Sequence, residues 1–351
     1  MKYFGCLFFL LLSFTFFSCK RKSDIITTDP QAKLSFSQSK ITFDTVFTSI
    51  GSVTQRLWVY NENKHAVRIS SIMLAQLYNS SYKITIDGNE VVELNNYELN
   101  GNDSMQILVK VIIDPKNLSL PYLVEDSIVF TTNGNVQDVD LMAYGQDAFF
   151  LTNTSVPCNA LWTNTKPYII TGIVTVSAGC TLTIDKNTRV RFHKGAVLNV
   201  AGTLLVQGIK DSIVTFRHDN LSSYYADLPG QWEGIVFETG SKNNLFSYAE
   251  IKNATNSIVM HVEPDGDTIA EVKIANTSVI NCSQNAITAT ATDFYAVNSL
   301  INNCPGYLFN ATSGGNYYFD FCTMANYSFD FFRNTDAVRF SNQDSSLANP
   351  L

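Results

Sequence analysis

The sequence predicts an all-β chain in which a β-sandwich precedes a parallel β-solenoid, and three observations predict it. Four segments repeat between Asn243 and Phe332: Ala249-Glu-Ile-Lys-Asn-Ala254, Thr277-Ser-Val-Ile-Asn-Cys282, Asn298-Ser-Leu-Ile-Asn-Asn303 and Phe321-Cys-Thr-Met-Ala-Asn326. Before them, from Ala32 to about Asp147, short alternating apolar runs are broken by turn residues, with no helical period. Composition agrees. Only 16% of residues are charged, while 24 Phe and 16 Tyr accompany plentiful Asn, Ser and Thr, which suits strands joined by polar turns.

At 351 residues the chain is long enough for two domains, each burying its own core. A formal charge of −7 supplies no basic footprint and argues against nucleic acid as a partner. Residues 1–19 read as an export signal, in which Lys2 precedes an apolar run from Tyr3 to Phe17 that is too short to span a bilayer comfortably. Phe16-Phe17-Ser18-Cys19 resembles the lipobox of bacterial lipoproteins. That resemblance implies that Cys19 becomes the lipidated first residue and holds the chain to a membrane, although Phe at the two outer positions departs from the commoner pattern. Residues 20–31 form a polar tether that opens on Lys20-Arg21-Lys22. It lacks the acidic run associated with surface export in Bacteroidetes-type lipoproteins, which points to an outer-membrane anchor facing the periplasm.

The region 32–147 holds eight predicted strands: Leu34–Phe36, Ile41–Phe47, Gln55–Tyr60, Val67–Leu74, Tyr82–Ile86, Met105–Ile113, Asp126–Thr132 and Gln137–Tyr144. Asp87-Gly88 and Asn133-Gly134 follow alternating runs and supply the positive φ angles of a tight hairpin. Eight strands in so short a region imply a sandwich. Residues 148–166 read as a linker.

From Pro167 to Asn334 the ruler is the repeat. Measured at Ile251, Val279, Leu300 and Thr323, the steps are 28, 21 and 23 residues, the first enlarged by a polar loop from Val262 to Ala270. Two residues further lie Asn253, Asn281, Asn302 and Ala325, and eight residues further Val259, Ile287, Leu308 and Phe331. Each register thus keeps one kind of side chain, as stacked coils about 4.8 Å apart require. Earlier coils are less regular: Ala178-Gly179 recurs as Ala201-Gly202, and Val190-Arg-Phe192 as Val214-Thr-Phe216. Seven to eight coils fit. The tail 335–351 is too short and polar to cap a solenoid, so either a further portion or a packing partner is expected to cover the last coil.

Wording carries a family resemblance over nearly everything after Cys19. Phe43-Asp-Thr-Val-Phe-Thr-Ser-Ile-Gly51, Val59-Tyr-Asn-Glu-Asn63, Asp126-Ser-Ile-Val-Phe130 and Asp138-Val-Asp-Leu-Met-Ala-Tyr-Gly-Gln-Asp147 resemble the leader domain of uncharacterised Bacteroidetes-type β-helix lipoproteins. Pro229-Gly-Gln-Trp-Glu-Gly234 and Gly240-Ser-Lys-Asn-Asn244 resemble their second half. The resemblance implies an immunoglobulin-like β-sandwich followed by a right-handed parallel β-helix of the pectin-lyase-like kind, and it implies no established activity.

Several residues are candidates for function. Asn253, Asn281 and Asn302 are expected to form an internal amide ladder, a structural role. The segment from His218 to Glu233 holds Tyr224, Tyr225 and Trp232, whose rings could stack on sugars, and Asp227 and Glu233, weak candidates for an acid pair. Covering the coil beneath is the competing role for those rings. Polygalacturonases carry a paired Asp-Asp and a Gly-His-Gly, and this chain has neither. The densest acidic group, Glu263, Asp265 and Asp267, could ring a metal, but a solvated hairpin tip predicts the same letters. No metal or cofactor is predicted, and none of His65, His193, His218 and His261 receives a catalytic role. Of the five cysteines after Cys19, Cys282 and Cys304 lie one coil apart and are expected to stack as small core residues in preference to a disulfide. The function expected is non-catalytic presentation of a solenoid face to a polysaccharide or envelope protein; the alternative is a polysaccharide lyase or glycoside hydrolase.

Overall fold

A computed structural model describes residues 24–262, 270–327 and 335–342. Among them the chain is all-β, and its two helical segments are single 3-10 turns at Leu77–Asn79 and Ser223–Tyr225. It divides into two compact units, one made of residues up to 42, 53–111 and 125–142, the other of 43–52, 112–124 and those from 143 onward.

The N-terminal strands form two mainly antiparallel sheets. One holds Ile26–Thr27, Ala66–Leu74, Tyr122–Thr132, Asn135–Gln146 and Lys40–Phe47 in that order, with Glu93–Leu99 also paired to Ala66–Leu74. The other runs Ser35–Phe36, Gln55–Asn61, Asp103–Val111, Tyr82–Ile86, Asn89–Val91. Alternation turns one side of most of these strands inward, so Leu57, Val59, Ile107 and Val109 are fully buried with Ile69 and Ile128. Phe36 meets Phe130 of the other sheet at 4.9 Å between ring centroids. Asp87 and Gly88 take φ of 49° and 82°, and Asn133 and Gly134 of 49° and 80°, as the hairpin dipeptides require. Glu93–Leu99 carries no alternating apolar run, because it pairs on one side only and faces solvent along most of its length.

From Phe149 onward every strand pairing is parallel, and strands recur in three stacks. The first stack is Ala160–Trp162, Thr181–Asp185, Thr203–Gln207, Asn244–Ser247, Val272–Ala275, Phe294–Val297 and Tyr317–Asp320. The second begins with the front half of Tyr168–Val176 and continues through Arg189–Phe192, Val214–His218, Ala249–Lys252, Ser278–Ile280, Leu300–Asn302 and Thr323–Ala325. The third begins with the rear half of that strand and continues through Val197–Val200, Gly234–Phe237, Ile258–Met260, Ile287–Thr290, Phe309–Thr312 and Val338–Ser341. The chain visits first, second and third stack in the same order on each circuit.

Inward residues align in columns that fill the interior. Val190, Phe216, Ile251, Val279, Ile301 and Met324 form one, and Leu198, Ile235, Ile258, Ile287, Phe309 and Val338 another. Each fully buried aliphatic side chain contributes roughly 1.5–3 kcal/mol.

Four sequence expectations need correction. Ile301 and Met324, not Leu300 and Thr323, continue the column of Ile251 and Val279. Likewise Ile258, Ile287 and Phe309 align, not Val259, Ile287 and Leu308. The reason is the corner. Asn253, Asn281 and Asn303 turn it with φ of 66°, 56° and 54°, so Asn303 is the third corner residue, while Asn302 is the last residue of its strand. The amide ladder is therefore absent: Asn253 Nδ2 donates to Ala226 O at 3.0 Å, and Asn302 Nδ2 to the Tyr327 hydroxyl at 2.7 Å. Coil-to-coil side-chain bonds fall at other positions, with Asn298 Nδ2 donating to Asn276 Oδ1 at 2.6 Å and Thr277 N to Ser299 Oγ at 3.2 Å. Residues 148–166, expected as a linker, carry the strands Phe149–Ser155 and Ala160–Trp162, both paired into the stacks. Finally, Cys282–Cys304 and Cys158–Cys180 are disulfides, because neighbouring corners bring each pair within bonding distance at Cα separations of 4.9 and 4.7 Å.

Candidate functional site

The first stack positions an aromatic groove of about 730 Å³ on its outer face. Alternation in Val272–Ala275 and Phe294–Val297 sends Val272, Ile274, Phe294 and Ala296 inward and leaves Lys273 and Tyr295 outward. In-register pairing then lines up Leu245, Lys273, Tyr295 and Tyr318 as one outward column, half-buried except at the exposed Tyr318. Lys273 Nζ lies 4.7 Å from the Tyr295 ring centroid, and the Tyr295 and Tyr318 rings meet edge to face at 6.5 Å.

Carboxylates and amides rim these rings. Tyr295 donates its hydroxyl to Asp320 Oδ2 at 2.7 Å, and that bond raises the phenol's pKa because ionisation would face a carboxylate. Asp293, buried, accepts from the Asn316 backbone at 2.6 Å and from the Asn316 amide at 3.0 Å. Asn243 and Asn244 close one end. The arrangement can stack a flat ring on Tyr295 or Tyr318 and bond its hydroxyls at the rim.

None of the groove residues was singled out from sequence. The signal was present as the outward letters of Val-Lys-Ile-Ala, Phe-Tyr-Ala-Val and Tyr-Tyr-Phe-Asp, but it emerges only with the correct register. The residues that were singled out fall elsewhere. Trp232 is fully buried, stacks on Phe192 at 3.9 Å and donates its indole N–H to Lys252 O at 2.9 Å. It is a core residue and cannot touch a glycan. Tyr224 is 75% exposed, whereas Tyr225 is half-buried and packs edge-on against His218. Asp227 pairs with Lys252 Nζ at 2.6 Å, which holds its carboxyl below the usual range. A carboxylate so held is a poor general acid. Glu233 is exposed, next to the inward-facing Trp232. Cys19, Glu263, Asp265, Asp267 and Phe331 lie outside the described residues. Among the described residues, no three His, Cys, Asp or Glu side chains gather to hold a metal ion, and no helix is long and apolar enough to cross a membrane.

Comparison with known proteins adds weak likenesses. No family model and no curated protein matches the chain. Among solved structures, a protein of unknown function from Porphyromonas gingivalis W83 aligns with a TM-score of 0.25 at 13% identity, over 36% of this chain and 60% of that one. An ASH/PapD-like domain of human CEP192 aligns with a TM-score of 0.23 at 12% identity, over 37% of this chain and 95% of that domain. A family 123 glycoside hydrolase from Clostridium perfringens gives 0.22 at 10% identity, over 32% of this chain and 25% of that one. At these scores the likenesses carry no argument about function.

Proposed function

We propose that the chain is a cell-envelope lipoprotein, anchored through Cys19, in which an immunoglobulin-like sandwich precedes a right-handed parallel β-helix whose outer face binds a glycan without cleaving it. Three parallel in-register strands per circuit support the helix, and right-handedness follows from the strong preference of parallel crossovers. Two disulfides support export, since such bonds persist in oxidising compartments.

The observation that carries the binding role is the outward pair Tyr295 and Tyr318, presented in register beside Asp320. Aromatic faces take the apolar face of a sugar ring while nearby carboxylates and amides take its hydroxyls. Binding without cleavage is favoured because the rim carboxylates are engaged, Asp320 by Tyr295 and Asp293 by Asn316.

The test is affinity electrophoresis through gels holding single neutral polysaccharides, with polymer length followed by size-exclusion chromatography. Retardation in at least one gel is expected, weakened about tenfold by Tyr295→Ala or Tyr318→Ala, since an aromatic contact contributes roughly 0.5–1.5 kcal/mol beyond its area. Migration unaffected by every polymer, or equal retardation of wild type and both variants, would overturn the glycan reading. Shortening of a polymer would replace it with an enzyme.

A further inference from the structure

The second stack carries a different kind of surface. Val190 and Phe192 point inward, so Arg189 and Arg191 point outward from the same strand, roughly 7 Å apart by strand geometry. Arg217 sits beside Arg191 in the neighbouring strand, in direct register. Three guanidiniums therefore share one patch.

The carboxylates around them are already engaged. Glu250 pairs with Arg217 through both Nε and Nη2, Asp219 with His193 Nδ1 at 2.7 Å, and Asp227 with Lys252 at 2.6 Å. Among the described residues, neither Arg189 nor Arg191 has an ion-pair or side-chain hydrogen-bond partner, and Arg191 Nε is buried with no acceptor. Burial and the two neighbouring arginines push the Arg191 guanidinium down to about 10. Glu250 and Asp219 offset part of this charge but are already paired, so crowded like charges with an unanswered N–H fit a site that draws further counter-charge from solvent.

We infer that Arg189 and Arg191, with the Arg217 nitrogen that Glu250 leaves unused, form a site for a tetrahedral oxyanion, a sulfate or phosphate, carried as an ester on a glycan or free in solution. Guanidiniums on two adjacent strands approach such a group from different directions, and a tetrahedral anion offers an oxygen to each. Arg191 is half-buried, so its terminal nitrogens, not the buried Nε–H, meet an anion arriving from solvent. The overall charge of −7 repels polyanions in general, so attraction to a sulfated polymer has to be local. This surface lies on another stack from the tyrosine groove, and the inference stands apart from the glycan reading made there.

The experiment uses the full chain in detergent, with sodium sulfate against sodium chloride at matched ionic strength in thermal unfolding, and retention on dextran sulfate against dextran. Sulfate is expected to raise the wild-type midpoint above chloride, with affinity at least tenfold weaker in Arg191→Gln and in Arg189→Gln. Arg191→Lys keeps the charge without the fork and is expected to fall between. Midpoints in chloride alone show whether each variant is folded. Because sulfate stabilises any fold by exclusion, only the stabilisation that Arg191→Gln loses reports the site; with retention on dextran sulfate it assigns the ester, and without retention the free ion. Tyr318→Ala is expected to keep both responses, so loss of the groove reading would leave them intact. No difference between sulfate and chloride, equal responses in Arg191→Gln, or loss of both responses in Tyr318→Ala overturns the site.

Discussion

The antiparallel sheets and the parallel stacks obey the same alternation, yet they fix register by different means. In the sheets, a two-residue turn such as Asn133-Gly134 sets which residues face one another, and the information is local. In the stacks, partners lie about a coil apart, and a left-handed corner residue such as Asn281 or Asn303 sets where the next strand begins. A one-residue error leaves a hairpin obvious but turns a stack inside out.

The largest test of that contrast is Trp232, which sequence context makes a loop residue and stacking on Phe192 makes core. Trp232→Ala is expected to cost about 3–5 kcal/mol in urea unfolding; a loss below 1 kcal/mol would return it to the surface. Next comes register itself. Ile301→Ala should cost about 2–5 kcal/mol, and its neighbour Leu300→Ala, half-buried on the other face, about 1 or less. Reversed magnitudes would restore the shifted column. Disulfides separate the two halves chemically, because both lie in the stacks and each closes 22 residues. Reduction should remove about 3 kcal/mol per bridge from the unfolding of the stacks while sparing that of the antiparallel sheets. A smaller effect belongs to the corner: Asn281→Ala should cost about 1 kcal/mol and Asn281→Gly less, measured by thermal melts.

The smallest is a pH effect. His218 is buried and its pKa lies below the ordinary 6.5, chiefly through burial. The unfolded chain then binds the proton more readily, so this contribution is full above pH 6.5 and is lost as pH falls through the folded value. His218→Phe should flatten the stability profile on the acid side of 6.5, and an unchanged slope would assign it to other groups.

Strand identity was legible in the sequence, since all eight strands read between 32 and 147 occur, with ends shifted by a few residues. The missed strands Asn89–Val91 and Glu93–Leu99 are mostly exposed, so neither had a buried face to write an apolar pattern. Site residues were less legible because they depend on register across coils. Matching Val190 to Val214 hid the true pair Arg191 and Arg217, since Val190 faces Phe216. Matching Leu300 to Val279 made Asn302 a ladder residue and drew attention from the Tyr295 column. The disulfides were hidden for another reason: spacing alone makes two stacked cysteines neighbours, and only the corner geometry makes them bonded.

Gly172 marks where the second and third stacks part. It interrupts Tyr168–Val176 at φ +68°, and a Cβ there would come within 2.0 Å of Asn153 Oδ1. Before it, the strand feeds the second stack; after it, the third. Phe149–Ser155 pairs with both halves and makes the same change at Asn153, with φ of 44°, whereas every later circuit makes it with a separate turn. A side chain at position 172 would press on Asn153, whose amide oxygen accepts from Ile173 N, and so would disturb both of these unbroken strands at once.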